Sequence, residues 1–228
     1  MQSQVTLVIV CKRPKLHQGK QRLAKTLGAQ TAFKLSEAFL RCVLEDLADW
    51  KGPVVISPAN KDDVSWAESL SDKAYVIAQP DGNLGERMQD LDRQLRAMGH
   101  QQILFLGTDV PMLTAEHYAE AQSAFSSADV VLSPASDGGV TFMGNGKGWP
   151  DLKGLHWSTG SLGKELVDVC QEEGLNVGFI KESYDIDEEA DLKRLYQDLQ
   201  GDERPQRIAL LKQLQTLIKI ENKETEHA

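Results

Sequence analysis

Cysteine is scarce in this chain and unpatterned. Cys11, Cys42 and Cys170 are odd in number, far apart, and contain no Cys-x-x-Cys pair. A zinc ribbon and a thioredoxin-type motif are thereby excluded, and reduced thiols in a cytoplasmic protein are expected. The five histidines show no metal-type spacing. Long apolar runs are also missing. The first, Val5 to Cys11, is too short to span a membrane, and basic residues follow it where a signal peptide would stay apolar. A soluble chain without membrane partners is expected. Two nucleotide-binding signatures are absent after that run: it does not continue as G-x-x-x-x-G-K-[ST] or as G-x-G-x-x-G. No Asp-x-Asp follows it either, which argues against an aspartyl-phosphate mechanism. Positive charge is in deficit, with 25 Lys plus Arg against 34 Asp plus Glu and a net charge of −9. That disfavours nucleic acid as a partner.

What is present is an alternation of short β-rich runs and helical spacings over 228 residues, enough for one sizeable core. The runs at 5–11, 53–57, 74–78, 102–106, 129–132, 141–143 and 177–180 read as strands. The spacing predicts helices over 30–49, 62–70, 84–98, 114–125, 161–173 and 186–199, with Gly99 placed as a stop. Such alternation argues for an α/β fold with a mostly parallel sheet. Residues 1–203 read as one domain. Residues 204–228 read as an amphipathic helix with Ile208, Leu211, Leu214, Leu217 and Ile218 on one side, followed by a frayed charged tail from Glu221. That helix is expected to pack on the domain, with a homodimer contact as the alternative.

In folds of this class ligands collect at the carboxyl ends of strands. After the first strand stands the densest basic cluster of an acidic protein: Lys12, Arg13, Lys15, Lys20 and Arg22. Cations there suit the phosphates of a nucleotide, with a solvated loop as the plainer reading. After the third strand, Gln79 to Met88 offers Gly82 and Gly85 for close backbone approach, with Arg87 a turn into the helix. A Pro-Asp-Gly turn with an Asn cap explains most of the same letters. After the fourth strand, Asp109 in G-T-D-V-P ends a buried apolar run, where a hard cation could bridge it to ligand phosphates. Asp137 precedes Gly138 and Gly139, either touching a nucleotide or closing a turn. Asp185 and Asp187 alternate in D-I-D-E-E-A-D-L, and Asp185 with Glu188 also fits a capping-box variant.

Taken in order, K-R-P-K-L-H-Q-G-K-Q-R-L from Lys12, Q-P-D-G-N-L-G-E-R-M from Gln79, G-T-D-V-P-M-L from Gly107, P-A-S-D-G-G-V from Pro134, W-S-T from Trp157 and D-I-D-E-E-A-D-L from Asp185 form a set. The set resembles the GT-A-like transferases known as domain of unknown function 2064, also labelled radical-SAM/selenodomain-associated transferases. The resemblance spans about residues 5–200. It implies a GT-A, Rossmann-like nucleotide-diphospho-sugar transferase fold. More distantly the chain looks like phospholactate, phosphoenolpyruvate and molybdenum cofactor guanylyltransferases. By that resemblance Asp109, Asp185 and Asp187 are the expected ligands of Mg2+ or Mn2+, and Lys12, Lys20 and Arg22 the expected phosphate holders.

The chain departs from the family pattern at several points. A Pro-Gly pair is replaced by Leu16-His17, a Thr by Gln21, a Tyr after Gly-Gly by Val140, and a Thr after Asp-Ile-Asp by Glu188. The acids are untouched. The expected activity is metal-dependent nucleotidyl transfer from a nucleoside triphosphate to a small phosphorylated or acidic metabolite, with Asp109, Lys20 and Arg22 as the catalytic set. The alternatives are glycosyl transfer from a nucleotide-sugar and a binding module without turnover.

Overall fold

The computed structural model describes residues 4–225. In chain order the elements are β1 (Val5–Cys11), α1 (Gln21–Leu27), α2 (Ala29–Asp46), β2 (Val54–Pro58), α3 (Val64–Glu68), β3 (Tyr75–Val76), α4 (Leu84–Ala97), β4 (Gln102–Leu106), α5 (Ala115–Ala124), β5 (Val130–Pro134), β6 (Val140–Asn145), α6 (Leu162–Glu172), β7 (Val177–Phe179), α7 (Glu189–Asp198) and α8 (Pro205–Thr225). They fall into two compact units. One comprises 1–13, 49–107 and 113–184; the other comprises 14–48, 108–112 and 185–228.

The first unit holds a seven-stranded sheet of order β3-β2-β1-β4-β6-β5-β7. β1 pairs in parallel with β2 and β4, β2 with β3, and β5 with β7. β6 runs antiparallel between β4 and β5. The link from Pro134 to Val140 is too short for a parallel crossover, so the chain must turn back on itself there. β1 and β2 are buried almost throughout, as their unbroken apolar runs require of central strands. Val8, Ile103, Phe105, Leu132 and Met143 line one face and pack against Met88, Leu91 and Leu95 of α4 and Leu166 and Cys170 of α6. On the other face Tyr118 of α5 meets Phe142 of β6 edge to face, with ring centroids 5.5 Å apart. Asn83 caps α4 in a capping box with Glu86, and Gly99 at φ 97° stands at its expected stop.

The second unit is helical. The spacing predicts a helix only from residue 30; α1 precedes it, and Arg22 lies in the first turn of this short helix. Gly28 at φ 82° turns the chain from α1 into α2. α8 packs on α2 and α7 within this unit. Its buried line is Arg207, Leu210 and Leu214, while Ile208 is 37% exposed. The expected apolar side is therefore rotated, because an arginine is drawn inside by acids on α2. The helix extends to Thr225, into the segment read as a frayed tail; residues 226–228 lie outside those described. No described helix is long and apolar enough to cross a membrane.

Candidate functional site

The second unit gathers three segments that the sequence separates widely. The first is the loop entering α1. His17 at φ 63°, Gly19 at φ 70° and Lys20 at φ 44° all lie in the left-handed region. For the two non-glycine residues that conformation costs about 1–2 kcal/mol each. The loop is held shut by a Lys15–Gln18 bridge and by Gln21 Nε2, which donates to the carbonyls of His17 and Gly19, each at 3.2 Å. His17 stands where the family pattern has glycine, so this departure carries strain in this chain.

The strained turn aims Lys20 inward. Its ammonium lies 2.8 Å from Asp109 Oδ2 and 2.9 Å from Asp187 Oδ1, and donates to the Ile186 carbonyl at 2.5 Å. The lysine side chain is 6% exposed, against 43% for Asp109 and 52% for Asp187. Burial works against the ammonium charge, but Asp109 and Asp187 together outweigh it and hold the lysine pKa above its ordinary value. An ammonium has three donors, and all three are spent on the protein. Lys20 is thus a clamp for two carboxylates.

The other two segments are tied together by backbone. Ile186 N donates to the Asp109 carbonyl at 3.0 Å. Asp191 Oδ2 accepts from the amides of Asp187 and Glu188 at 2.9 and 2.7 Å, closing a capping box with Glu188 as its first residue. The expected Asp185–Glu188 box is therefore displaced along the chain. Glu188 takes Arg22 Nη1 at 3.3 Å on an exposed surface, where the rest of the guanidinium faces water. Asp185 is half-buried. No group of three His, Cys, Asp or Glu among the described residues is placed to hold a metal ion. Of the expected set Asp109, Asp185 and Asp187, the structure joins Asp109 and Asp187 through one lysine. The outer oxygens of two half-exposed carboxylates still suit a hard cation that keeps its waters and takes phosphate oxygens.

The remaining candidates belong to the first unit. Lys12 follows β1 and is exposed, while its neighbour Arg13 lies over the Trp66 ring at 5.9 Å and reaches Asp63 at 3.6 Å. Arg87 Nε donates to the Gly82 carbonyl at 2.8 Å, folding its head back on its own loop. A Cβ on Gly85 would stand 2.2 Å from the Leu152 carbonyl and 2.5 Å from Trp157 Nε1, so protein fills the space a side chain would take there. Asp137 Oδ1 accepts from Gly139 N at 2.9 Å, the turn-closing role. Gly138 approaches the Gly160 carbonyl so closely that a Cβ there would lie at 2.1 Å. The D-G-G stretch and Gly160, which follows W-S-T, therefore pack glycine to glycine.

Two features escaped the sequence reading. Glu165 gathers the W-S-T loop. It accepts from His156 N at 2.8 Å, Ser161 Oγ at 2.6 Å and the His156 ring at 3.0 Å, and these bonds, led by the backbone one, pull its carboxyl down to about 2. Arg207 is the other, a fully buried cation in a helix that reads as amphipathic. A buried arginine has no signature in a single sequence beyond its own letter.

Comparison with solved structures fixes the fold. A protein from Desulfovibrio desulfuricans G20 assigned as a nucleotide-diphospho-sugar transferase matches at a TM-score of 0.87 and 23% identity, over 95% of this chain and 97% of that one. A 4-diphosphocytidyl-2C-methyl-D-erythritol synthase matches at 0.54 and 13%, over 87% and 99%. A CMP:2-keto-3-deoxy-manno-octonic acid synthetase complexed with CTP matches at 0.51 and 11%, over 85% and 97%. The fold is the GT-A fold of nucleotide-diphospho-sugar transferases, an α/β architecture with a mostly parallel sheet. Comparison with curated proteins gives no match. The family model described as "Uncharacterized protein conserved in bacteria (DUF2064)" covers residues 40–159, more than half of the chain, and the chain belongs to that family.

Proposed function

We propose that the protein is a metal-dependent nucleotidyltransferase that joins a nucleoside triphosphate to a small phosphorylated or acidic metabolite and releases pyrophosphate. The observation that carries this reading is the Lys20 clamp: two half-exposed carboxylates, Asp109 and Asp187, held by one buried ammonium at 2.8 and 2.9 Å. Two like charges converge there only because the lysine compensates them, and they keep outward oxygens for a ligand. Mg2+ or Mn2+ held by those oxygens would supply charge neutralisation for the triphosphate. Arg22, paired with Glu188 on an exposed surface, would take a phosphate oxygen. An acceptor oxygen would attack the α-phosphorus; the new O–P bond replaces the bond to the β-phosphate, and pyrophosphate leaves with the electron pair. A phosphate or carboxylate acceptor is already ionised and needs no protein base. Catalysis is then positioning and electrostatics.

The names of two solved relatives, the 4-diphosphocytidyl-2C-methyl-D-erythritol synthase and the CTP-bound synthetase, support nucleotidyl transfer for this site. The name of the Desulfovibrio protein supports a second reading, glycosyl transfer from a nucleotide-sugar, with the same metal holding a diphosphate. Thermal shift and product analysis with magnesium and a panel of nucleoside triphosphates and nucleotide-sugars separate the two. A triphosphate that stabilises the protein, with pyrophosphate released on adding an acceptor, is expected. Stabilisation by nucleotide-sugars alone would transfer the reading to glycosyl transfer. Neither ligand binding would overturn both.

A further inference from the structure

The loop 108–112 that carries Asp109 is anchored from two sides. One anchor is the acid site itself, through Lys20 and the Ile186 amide. The other is Arg207 of α8. Its Nε donates to the Pro111 carbonyl at 3.0 Å, its Nη1 to the Cys42 carbonyl and to Glu45 Oε2 at 3.0 Å, and its Nη2 to Asp46 Oδ2 at 2.6 Å. The side chain is wholly buried. One guanidinium therefore joins α8, the C-terminal turn of α2 and the Asp109 loop. A lysine could not do this, because only the planar fork offers several donors in fixed directions. The end of α2 also carries the negative pole of its helix, which favours a cation there.

We propose that Arg207 is a positioning residue for Asp109: it fixes Pro111, and through it the direction in which the Asp109 carboxylate faces its ligand. This rests on the reading that Asp109 holds a metal–triphosphate. The neighbouring Arg204 provides an internal control. It reaches the same Asp46, at 2.9 Å, and Asp202, at 2.6 Å; among the described residues it makes no bond to the Asp109 loop. Loss of either arginine disturbs the same carboxylate; loss of Arg207 alone frees Pro111.

The test uses the full chain and two readouts. The first is hydrogen exchange at the Ile186 amide, which donates to the Asp109 carbonyl and reports loop order without any ligand. The second is calorimetric titration of ATP, CTP, GTP and UTP with magnesium. Arg207→Lys is expected to speed exchange at Ile186 and to weaken the triphosphate that binds by about tenfold. Arg204→Gln is expected to lower the melting temperature and change neither readout. Glu45→Gln removes one charged anchor of Arg207, leaves the rest, and should move both readouts in the same direction by less; it serves if Arg207→Lys does not fold. Exchange at Ile186 that matches wild type in both Arg207→Lys and Glu45→Gln would overturn the proposal. Asp109→Asn, run in parallel, separates the two ideas. Magnesium-dependent binding that survives Asp109→Asn sinks the functional reading, whereas binding lost in Asp109→Asn but intact in Arg207→Lys sinks only the role given to Arg207.

Discussion

Lys20 and Asp109 meet at 2.8 Å with opposite exposures: the lysine side chain is 6% accessible and the aspartate 43%. The cation is walled in and the anion is presented to solvent. Lys20→Met should therefore leave two unpaired carboxylates free to separate into water. Because both are well solvated, the expected loss of stability is only about 1 kcal/mol. The sign with pH follows from the raised lysine pKa. The contribution is full below the unfolded value of 10.5 and is lost as pH rises through the higher folded value. Denaturant unfolding of both proteins from pH 7 to 11 checks this. A gap that stays constant across that range would show that the ammonium is not the group responsible.

His17 occupies a left-handed backbone position, φ 63°, that suits glycine. His17→Gly is expected to be more stable than His17→Ala by about 1 kcal/mol, since only the Cβ-bearing residue pays the steric cost. Equal melting temperatures for the two variants would mean that the turn relaxes when the imidazole is removed.

Gly85 and Gly107 form a contrasting pair. A Cβ at Gly85 would stand 2.2 Å from a backbone oxygen, whereas one at Gly107 meets nothing within 4 Å. Gly85→Ala should cost about 1–3 kcal/mol by overpacking and Gly107→Ala close to nothing. Chemical denaturation of the two variants decides it, and a neutral Gly85→Ala would leave room there for a ligand after all.

Glu165 has its carboxyl held down at about 2 from an ordinary 4.5. A depressed acid stabilises the fold above its unfolded pKa and loses that contribution as pH falls through the folded one. Wild type should outlast Glu165→Gln in melting temperature at pH 7, and the difference should shrink below about pH 4.5 and vanish near pH 2. A difference that persists at pH 2 would assign the effect to packing rather than charge.

The three thiols should be inert in the folded protein. Burial raises Cys11 and Cys42 to about 12 and Cys170 to about 11, and the thiolate is the reactive form. Iodoacetamide at pH 8 is expected to label none of them until denaturant is added. Rapid labelling of any one in the native state would reveal local opening around it.

Much of this architecture can be read from the letters. Apolar runs such as Val5–Cys11 mark strands because a doubly covered strand needs apolar residues on both faces. Helix α4 is legible through its Asn cap, its apolar spacing and Gly99 as a stop, while the Glu86 half of the capping box comes from the structure. Asp109 stood out because a carboxylate follows a buried run. Other features lay below the threshold of pattern. α1 is a short helix preceded by left-handed residues, and neither its length nor its cap is a strong signal. The pairing of Lys20 with two acids far along the chain is a tertiary fact with no local trace. Arg207 misled the reading of α8, because an arginine is assigned to the wet side of a helix by default and here three acceptors from α2 bring it inside.

The position of β6 bears on how the chain acquires its shape. β6 lies between β4 and β5 although β5 precedes it in sequence. The sheet therefore cannot be extended strand by strand in the order of synthesis. β3, β2, β1 and β4 can assemble first, leaving the β4 edge bare; β5 has no place beside it until β6 exists. The β5–β6 hairpin must dock as one piece, through the Leu104–Gly144 and Phe105–Met143 register. A chain interrupted before Val140 would present an open, apolar strand edge, which is the kind of surface that chaperones retain and that aggregates nucleate on.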